Sequence, residues 1–233
     1  MIKGNALVAL GGGPSPVINA SLQGVVERCM AHDAIGHILA ARHGIEGVLT
    51  EELVPMHTQN RDELVRLRHT PSSGVIGTCR YKLGDGHEED FARILDVLEA
   101  HEIAWFFYIG GNDSMDTADK IAALAKQRGL PLVVTGVPKT IDNDVGDEGF
   151  TLIDHTPGYG SAARYWAHVM QTAEEENRGM HVSESVSVWQ AMGRKSGFIT
   201  AAARLADPRR ETPLLIFLAE AKLSMSNMAD RVR

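Results

Sequence analysis

The chain has 233 residues, of which 44% are hydrophobic and 23% charged, so it is long enough to bury a core without disulfides or structural metals. Its formal net charge of −7 disfavours a general binder of nucleic acid or of an anionic membrane. No apolar run approaches the roughly 20 residues of a membrane span, the N-terminus does not resemble a signal peptide, and only two cysteines occur, so we expect a cytoplasmic location.

The first 140 residues alternate between strand and helix patterns. Apolar runs predict buried strands over 6–10 and 104–109, and the segments over 35–41 and 132–137 also have strand-like patterns. Between them, apolar residues recur at helical spacing and predict helices over 18–29, 62–67, 91–98 and 115–125. This order is typical of a parallel α/β sheet, in which ligands bind beyond the carboxyl ends of the strands.

The remaining residues continue the same alternation. The pattern predicts a long helix over 159–173, a strand over 182–189, a helix over 198–206 and a further strand over 214–219. We expect the loop over 142–157 to contain the boundary between two lobes.

Two glycine-rich turns each join a predicted strand to a predicted helix. Residues 11–16 read GGGPSP and residues 110–115 read GGNDSM. Glycines let backbone N–H groups approach an anion closely, and the following helix adds a partial positive charge. The alternatives are a simple tight turn for the first segment and, for the second, helix capping by Asp113 or Ser114. Because two such turns occur in equivalent places, phosphate binding is favoured.

The third polar segment, residues 138–144, reads PKTIDND and follows a predicted strand. If its backbone is extended, Asp142 and Asp144 point the same way, and one carboxylate can accept a proton while the other orients a divalent cation. Lys139 and Thr140 offer a positive charge and a hydroxyl donor to a phosphate. The alternative, a polar loop whose aspartates only form turns, is the weaker interpretation.

Two further segments carry arginines beside glycines. Arg194 lies within residues 192–197 (MGRKSG), and Arg80 follows the glycine-flanked run over 74–79. Each could contact a phosphoryl group. Taken singly, each is more simply interpreted as a solvated surface arginine.

In this order the segments resemble the phosphofructokinase family, over about residues 6–220. Asp113 and Lys139 stand where simple bacterial ATP-dependent members have glycine, and the sequence is similar to the pyrophosphate-dependent branch. The resemblance implies an α/β, two-lobed phosphofructokinase-like fold with mostly parallel sheets flanked by helices. It also implies a donor-binding lobe with the catalytic loop over 1–149 and a partial sugar-phosphate-binding lobe over 150–233.

The resemblance implies reversible phosphoryl transfer, with Mg²⁺, from pyrophosphate to the 1-hydroxyl of fructose 6-phosphate, giving fructose 1,6-bisphosphate in glycolysis. It implies Asp142 as the general base, with Arg80, Lys139 and Asp113 as further catalytic residues. It implies donor contacts from Gly11, Gly12, Arg80, Gly111, Asp113 and Ser114. It implies fructose 6-phosphate contacts from Lys139, Thr140, Ile141, Asp142, Met192, Gly193 and Arg194, and metal contacts from Asn112 and Asp144.

The sequence also departs from the family pattern. Asn112 replaces an aspartate of the ATP-dependent members, Gly13 stands where many members have aspartate, and Ser185 stands where simple bacterial enzymes have an arginine. Because the family continues well beyond residue 219, we expect a chain truncated at the C-terminus, with an incomplete second lobe.

Three alternative functions remain at the sequence level. The chain could be an ATP-dependent 6-phosphofructokinase, an inactive fragment that binds phosphate or assembles with intact subunits, or another nucleotide-binding α/β protein. The resemblance implies a homo-oligomer, and the composition predicts no nucleic-acid or membrane partner.

Overall fold

The structure, a computed structural model, describes residues 2–70, 75–84, 86–145 and 155–232. The chain divides into two compact units, Met1–Lys139 and Thr140–Arg233. The predicted lobe boundary between residues 149 and 150 lies outside the described residues. The described elements in chain order are β1 (Gly4–Leu10), α1 (Val17–Met30), β2 (Ile35–Ala41), α2 (Ile45–Leu49), β3 (Leu53–Pro55), α3 (Arg61–Arg66), α4 (Glu88–Ala100), β4 (Ile103–Gly110), α5 (Asn112–Arg128), β5 (Val133–Pro138), α6 (Tyr159–Met180), α7 (Phe198–Ala202) and α8 (Met225–Val232).

The first unit is built on one five-stranded sheet in the order β3-β2-β1-β4-β5. Strands β2, β1, β4 and β5 are parallel, and the short edge strand β3 is antiparallel to β2. The predicted strands and helices of this unit are confirmed, whereas β3 and the five-residue helix α2 were not predicted. Because the chain moves from β1 to β2 on one side and later to β4 on the other, the strand order reverses beside β1, where such folds bind ligands.

Alternation along β1 explains why both faces of this sheet are covered. Ala6, Val8 and Leu10 pack in one apolar cluster with helix α1, while Leu7 and Ala9 pack in a second cluster with helices α4 and α5. All five residues are fully buried. A parallel strand covered on both faces reads as a continuous apolar run, which is why the sequence pattern predicted it correctly.

Among the described residues of the second unit, the regular elements are helices. Helix α6 contains the predicted span 159–173, and α7 with the following 3₁₀ turn matches the predicted helix over 198–206. The strands predicted over 182–189 and 214–219 are wrong, since no strand is formed there. Val182 and Val188 are about nine-tenths exposed. These apolar runs have no ladder partner within the described residues, and a strand requires one for its backbone hydrogen bonds.

None of the helices in the described ranges combines the length and the apolar character needed to cross a lipid bilayer.

Candidate active site

The two glycine turns lie side by side at the carboxyl edge of the sheet. Leu10 and Ile109 are partners in the parallel β1–β4 register, so both strands end at the same level. The Gly11 N–H donates to the Ile109 carbonyl at 2.8 Å, which continues the pairing by one residue. The sequence predicted a glycine turn after each strand, and the strand order brings the two together.

Close packing explains the glycines at the ends of β1 and β4. A Cβ atom on Gly110 would lie 2.5 Å from the Ser114 Cβ and would overlap its hydroxyl, and one on Gly11 would overlap the same hydroxyl. Ser114 is buried and hydrogen-bonds to the Tyr108 hydroxyl. Burial raises the pKa of Tyr108 to about 12. Ser114 therefore contributes to packing beneath the turns, and its predicted contact with a donor stays a prediction.

Helix α5 begins at Asn112 without a side-chain cap, because its N-cap residue is Gly111. The alternative in which Asp113 or Ser114 caps the helix is therefore wrong. The Asp113 carboxylate instead forms an ion pair with Lys82 at 3.0 Å, and both side chains are largely exposed. Asn112 is also exposed. The first turn of α5 thus presents uncapped N–H groups, a carboxylate and an amide.

The segment that carries Arg80 runs alongside the first glycine turn. Gly11 and Cys79 form a parallel bridge, and the Gly12 N–H donates to the Cys79 carbonyl at 2.8 Å. The Thr78 hydroxyl donates to the Gly12 carbonyl at 2.8 Å. These contacts place Arg80, which is exposed, next to the turn.

Lys139 reaches the first turn from the opposite direction. Its backbone N–H donates to the Gly110 carbonyl at 2.8 Å, and its Nζ donates to the Gly13 carbonyl at 2.6 Å. Lys139 as a whole residue is only 4% exposed. Lys139 therefore holds the turn over 11–13 as well as adding a positive charge beneath it.

The loop that carries Asp142 lies in the second unit and differs from the extended form considered above. Asn143 has φ 57°, in the left-handed region, so Asp142 and Asp144 do not follow the alternation of an extended strand. Asn143 is buried, and its Oδ1 accepts a hydrogen bond from the Thr156 N–H at 2.8 Å. The Asp142 N–H donates to the Thr140 hydroxyl at 3.2 Å. The loop is thus fixed by its own side chains.

A second polar segment of the same unit contacts this loop. The Ser196 hydroxyl donates to the Asp142 carbonyl at 2.7 Å, and the Gly197 N–H donates to Glu220 at 2.7 Å. Gly193 has φ 102°, which favours glycine at this turn. Met192 and Arg194 flank it and are exposed.

Sequence reasoning did not single out Ser196 or Glu220 as site residues. The one available signal was that Ser196 lies within the segment MGRKSG. Ile141 is half-buried next to Asp142.

The described ranges contain no group of three or more His, Cys, Asp and Glu side chains that could hold a metal ion. Asn112 in the first unit offers an amide oxygen and Asp144 in the second unit a carboxylate, and each by itself is a hard oxygen ligand of the kind that Mg²⁺ accepts. Mg²⁺ is commonly bound by one or two such groups together with substrate phosphates.

Comparisons with known proteins agree with one another. The phosphofructokinase family model matches residues 5–233. The chain is 42% identical over 223 residues to the pyrophosphate–fructose 6-phosphate 1-phosphotransferase of Halomonas elongata, covering 93% of this chain and 52% of that protein. It is 41% identical to the protein of the same name from Xanthomonas campestris, covering 100% of this chain and 55% of the relative.

Among solved structures, the fold is similar to a pyrophosphate-dependent phosphofructokinase from Marinobacter aquaeolei. The TM-score is 0.85 and the identity 39%, over 99% of this chain and 56% of that one. The chain thus spans about half the length of the relatives it matches.

Proposed function

Because the chain belongs to the phosphofructokinase family, we propose that it carries out, or forms part of a protein that carries out, phosphoryl transfer from pyrophosphate to the 1-hydroxyl of fructose 6-phosphate, giving fructose 1,6-bisphosphate. The observation that carries the proposal is the pair of glycine turns at the ends of β1 and β4, held by Lys139. Relatives that match nearly the whole chain bear the name of this reaction.

The first unit supplies what a small polyphosphate donor needs. The Gly111 N–H at the start of helix α5 binds phosphate oxygens, while Arg80 and Lys139 supply positive charge. The predicted donor contacts of the Gly11 and Gly12 amides need correction, because these N–H groups already donate to the Ile109 and Cys79 carbonyls and shape the turn instead. Because pyrophosphate lacks a nucleoside, the carboxylate of Asp113 excludes a longer donor without obstructing the shorter one. The same cations offset the charge that develops on the transferred phosphoryl group.

The second unit supplies the general base and the acceptor site. Asp142 accepts the proton of the attacking 1-hydroxyl, and the contacts of Thr140, Asn143 and Ser196 with its loop fix its position. Thr140 and Ile141 contact the transferred group and the sugar. Met192, Gly193 and Arg194 contact fructose 6-phosphate.

Mg²⁺ belongs to the same proposal, with Asn112 and Asp144 as the residues that would hold it. When bound, the ion neutralises charge on the phosphate oxygens of the donor. A glycolytic role, a reversible reaction, a homo-oligomeric assembly and a cytoplasmic location are further parts of the proposal.

The test is a steady-state assay that couples fructose 1,6-bisphosphate formation to aldolase, with pyrophosphate or ATP as donor. Turnover with pyrophosphate and little with ATP is expected. Turnover with ATP and none with pyrophosphate would contradict the assigned donor. No turnover with either would contradict activity in this 233-residue chain and favour the fragment alternative.

A further inference from the structure

Gly13 lies between two cationic side chains of the first unit. The Lys139 Nζ donates to its carbonyl oxygen at 2.6 Å. On the other side, a Cβ atom built on Gly13 would lie 2.7 Å from Nη2 of Arg80. The guanidinium of Arg80 therefore occupies the volume that a side chain at position 13 would need.

Backbone conformation does not require glycine at this position. Gly12 has φ 75°, in the left-handed region that favours glycine, but Gly13 lies outside it. The contact with Arg80 is therefore the structural feature that a side chain at position 13 would disturb.

Backbone contacts of the neighbouring residues fix the position of the Arg80 backbone. The bridge between Gly11 and Cys79, with the hydrogen bond from the Gly12 N–H to the Cys79 carbonyl, aligns the two segments residue by residue. Arg80 is exposed, and within the described part of the chain no carboxylate forms an ion pair with it. Its charge is therefore available to an anion.

We infer that position 13 determines donor affinity in this chain: without a side chain there, Arg80 lies across the glycine turn and contacts an anionic donor. A carboxylate at position 13 would stand between Arg80 and Lys139 and act as an internal counter-ion that competes with the donor. The inference deepens the proposed function and rests on pyrophosphate being the donor.

The test compares two substitutions of almost equal size, Gly13→Asp and Gly13→Asn, by calorimetric titration with inorganic pyrophosphate. Both side chains displace the Arg80 guanidinium sterically. The difference between the two dissociation constants for pyrophosphate therefore reports the effect of the negative charge at position 13. We expect Gly13→Asp to bind about tenfold more weakly than Gly13→Asn, as for one charge-assisted contact. In an Arg80→Gln background we expect the difference to fall to about twofold, because the contribution of Lys139 remains. Equal affinities in the first background, or the same ratio in both, would overturn the inference.

A second measurement makes the inference independent of the proposed donor. The NMR resonance of the Arg80 Nε–H group is compared without ligand in the unsubstituted chain, in Gly13→Asp and in Gly24→Ala. Gly24 is the matched control, because an added Cβ meets no atom within 4 Å. Relative to the unsubstituted chain, we expect the chemical shift of the Arg80 Nε–H group to change in Gly13→Asp but not in Gly24→Ala. An unchanged Arg80 resonance in Gly13→Asp would overturn the inference. If the unsubstituted chain fails to bind pyrophosphate, the proposed function fails, and this resonance still decides the placement of Arg80.

Discussion

Replacing Gly110 by alanine tests the close packing beneath the two glycine turns. The added Cβ would lie 2.5 Å from the Ser114 Cβ and 3.1 Å from the Gly11 carbonyl oxygen, and it would overlap the Ser114 hydroxyl. Ser114 is 5% exposed, so its side chain has little room to move. Overpacking of a well-packed site costs about 1–3 kcal/mol, and two overlapping atoms place this variant near the upper end.

The assay is urea unfolding followed by far-ultraviolet circular dichroism. We expect the free energy of unfolding to fall by about 3 kcal/mol, which corresponds to a midpoint temperature lower by about 6–12 °C for a chain of this length. Gly24→Ala is the control, because its Cβ meets open space within helix α1 and alanine favours a helix by up to about 1 kcal/mol.

A second variant identifies the cause of the loss. Ser114→Gly removes both overlapping atoms, so Gly110→Ala combined with Ser114→Gly should cost less than the sum of the two single substitutions by about 1–2 kcal/mol. A loss below about 0.5 kcal/mol for Gly110→Ala, or strict additivity in the double variant, would refute the packing argument.

Three further predictions concern the chemistry of the site and its surroundings. Asp142→Asn should lower turnover about 10²- to 10⁴-fold with little change in the circular dichroism spectrum, as expected for a general base; unchanged turnover would contradict that role. Lys139→Met should destabilise the first unit by about 1.5–3 kcal/mol, because the Gly13 carbonyl loses a charged donor, and should weaken pyrophosphate binding in calorimetry. The raised pKa of Tyr108, about 12, means that the folded state keeps its proton where the unfolded state, near pKa 10, loses it. The contribution of Tyr108 to the free energy of unfolding is therefore fully present below about pH 10 and falls by about 1.4 kcal/mol per pH unit between pH 10 and 12. Urea unfolding measured across this pH range should show the fall, and a Tyr108→Phe chain should lack this part of it.

Strands β1 and β4 could be predicted from sequence because they are buried on both faces. Each contains a continuous apolar run that leads into a glycine turn, at Gly11 after β1 and at Gly110 in β4. The runs over 182–189 and 214–219 look the same in sequence but form no strand in the structure. A strand depends on a neighbouring strand, which a local pattern does not report.

The glycine turns and Lys139 were identified from sequence as candidate site residues, but their contacts were not. The amine of Lys139 was expected to reach a donor phosphate, and the structure shows that it also holds the Gly13 carbonyl. The Lys82 partner of Asp113 was not predicted, because the two are 31 positions apart and only the fold brings them together. The left-handed Asn143 was missed because an extended backbone was assumed for the segment.

The most direct test of the central claim is a binding competition at the glycine turns of the first unit. Calorimetric titration of the chain with pyrophosphate, in the presence of Mg²⁺ and with and without excess ATP, measures which donor occupies the site. We expect saturable pyrophosphate binding that ATP does not displace, and Asp113→Gly should allow ATP to compete. Two results would contradict pyrophosphate as the donor. One is displacement of pyrophosphate by ATP in the unsubstituted chain, and the other is a chain that binds ATP but not pyrophosphate.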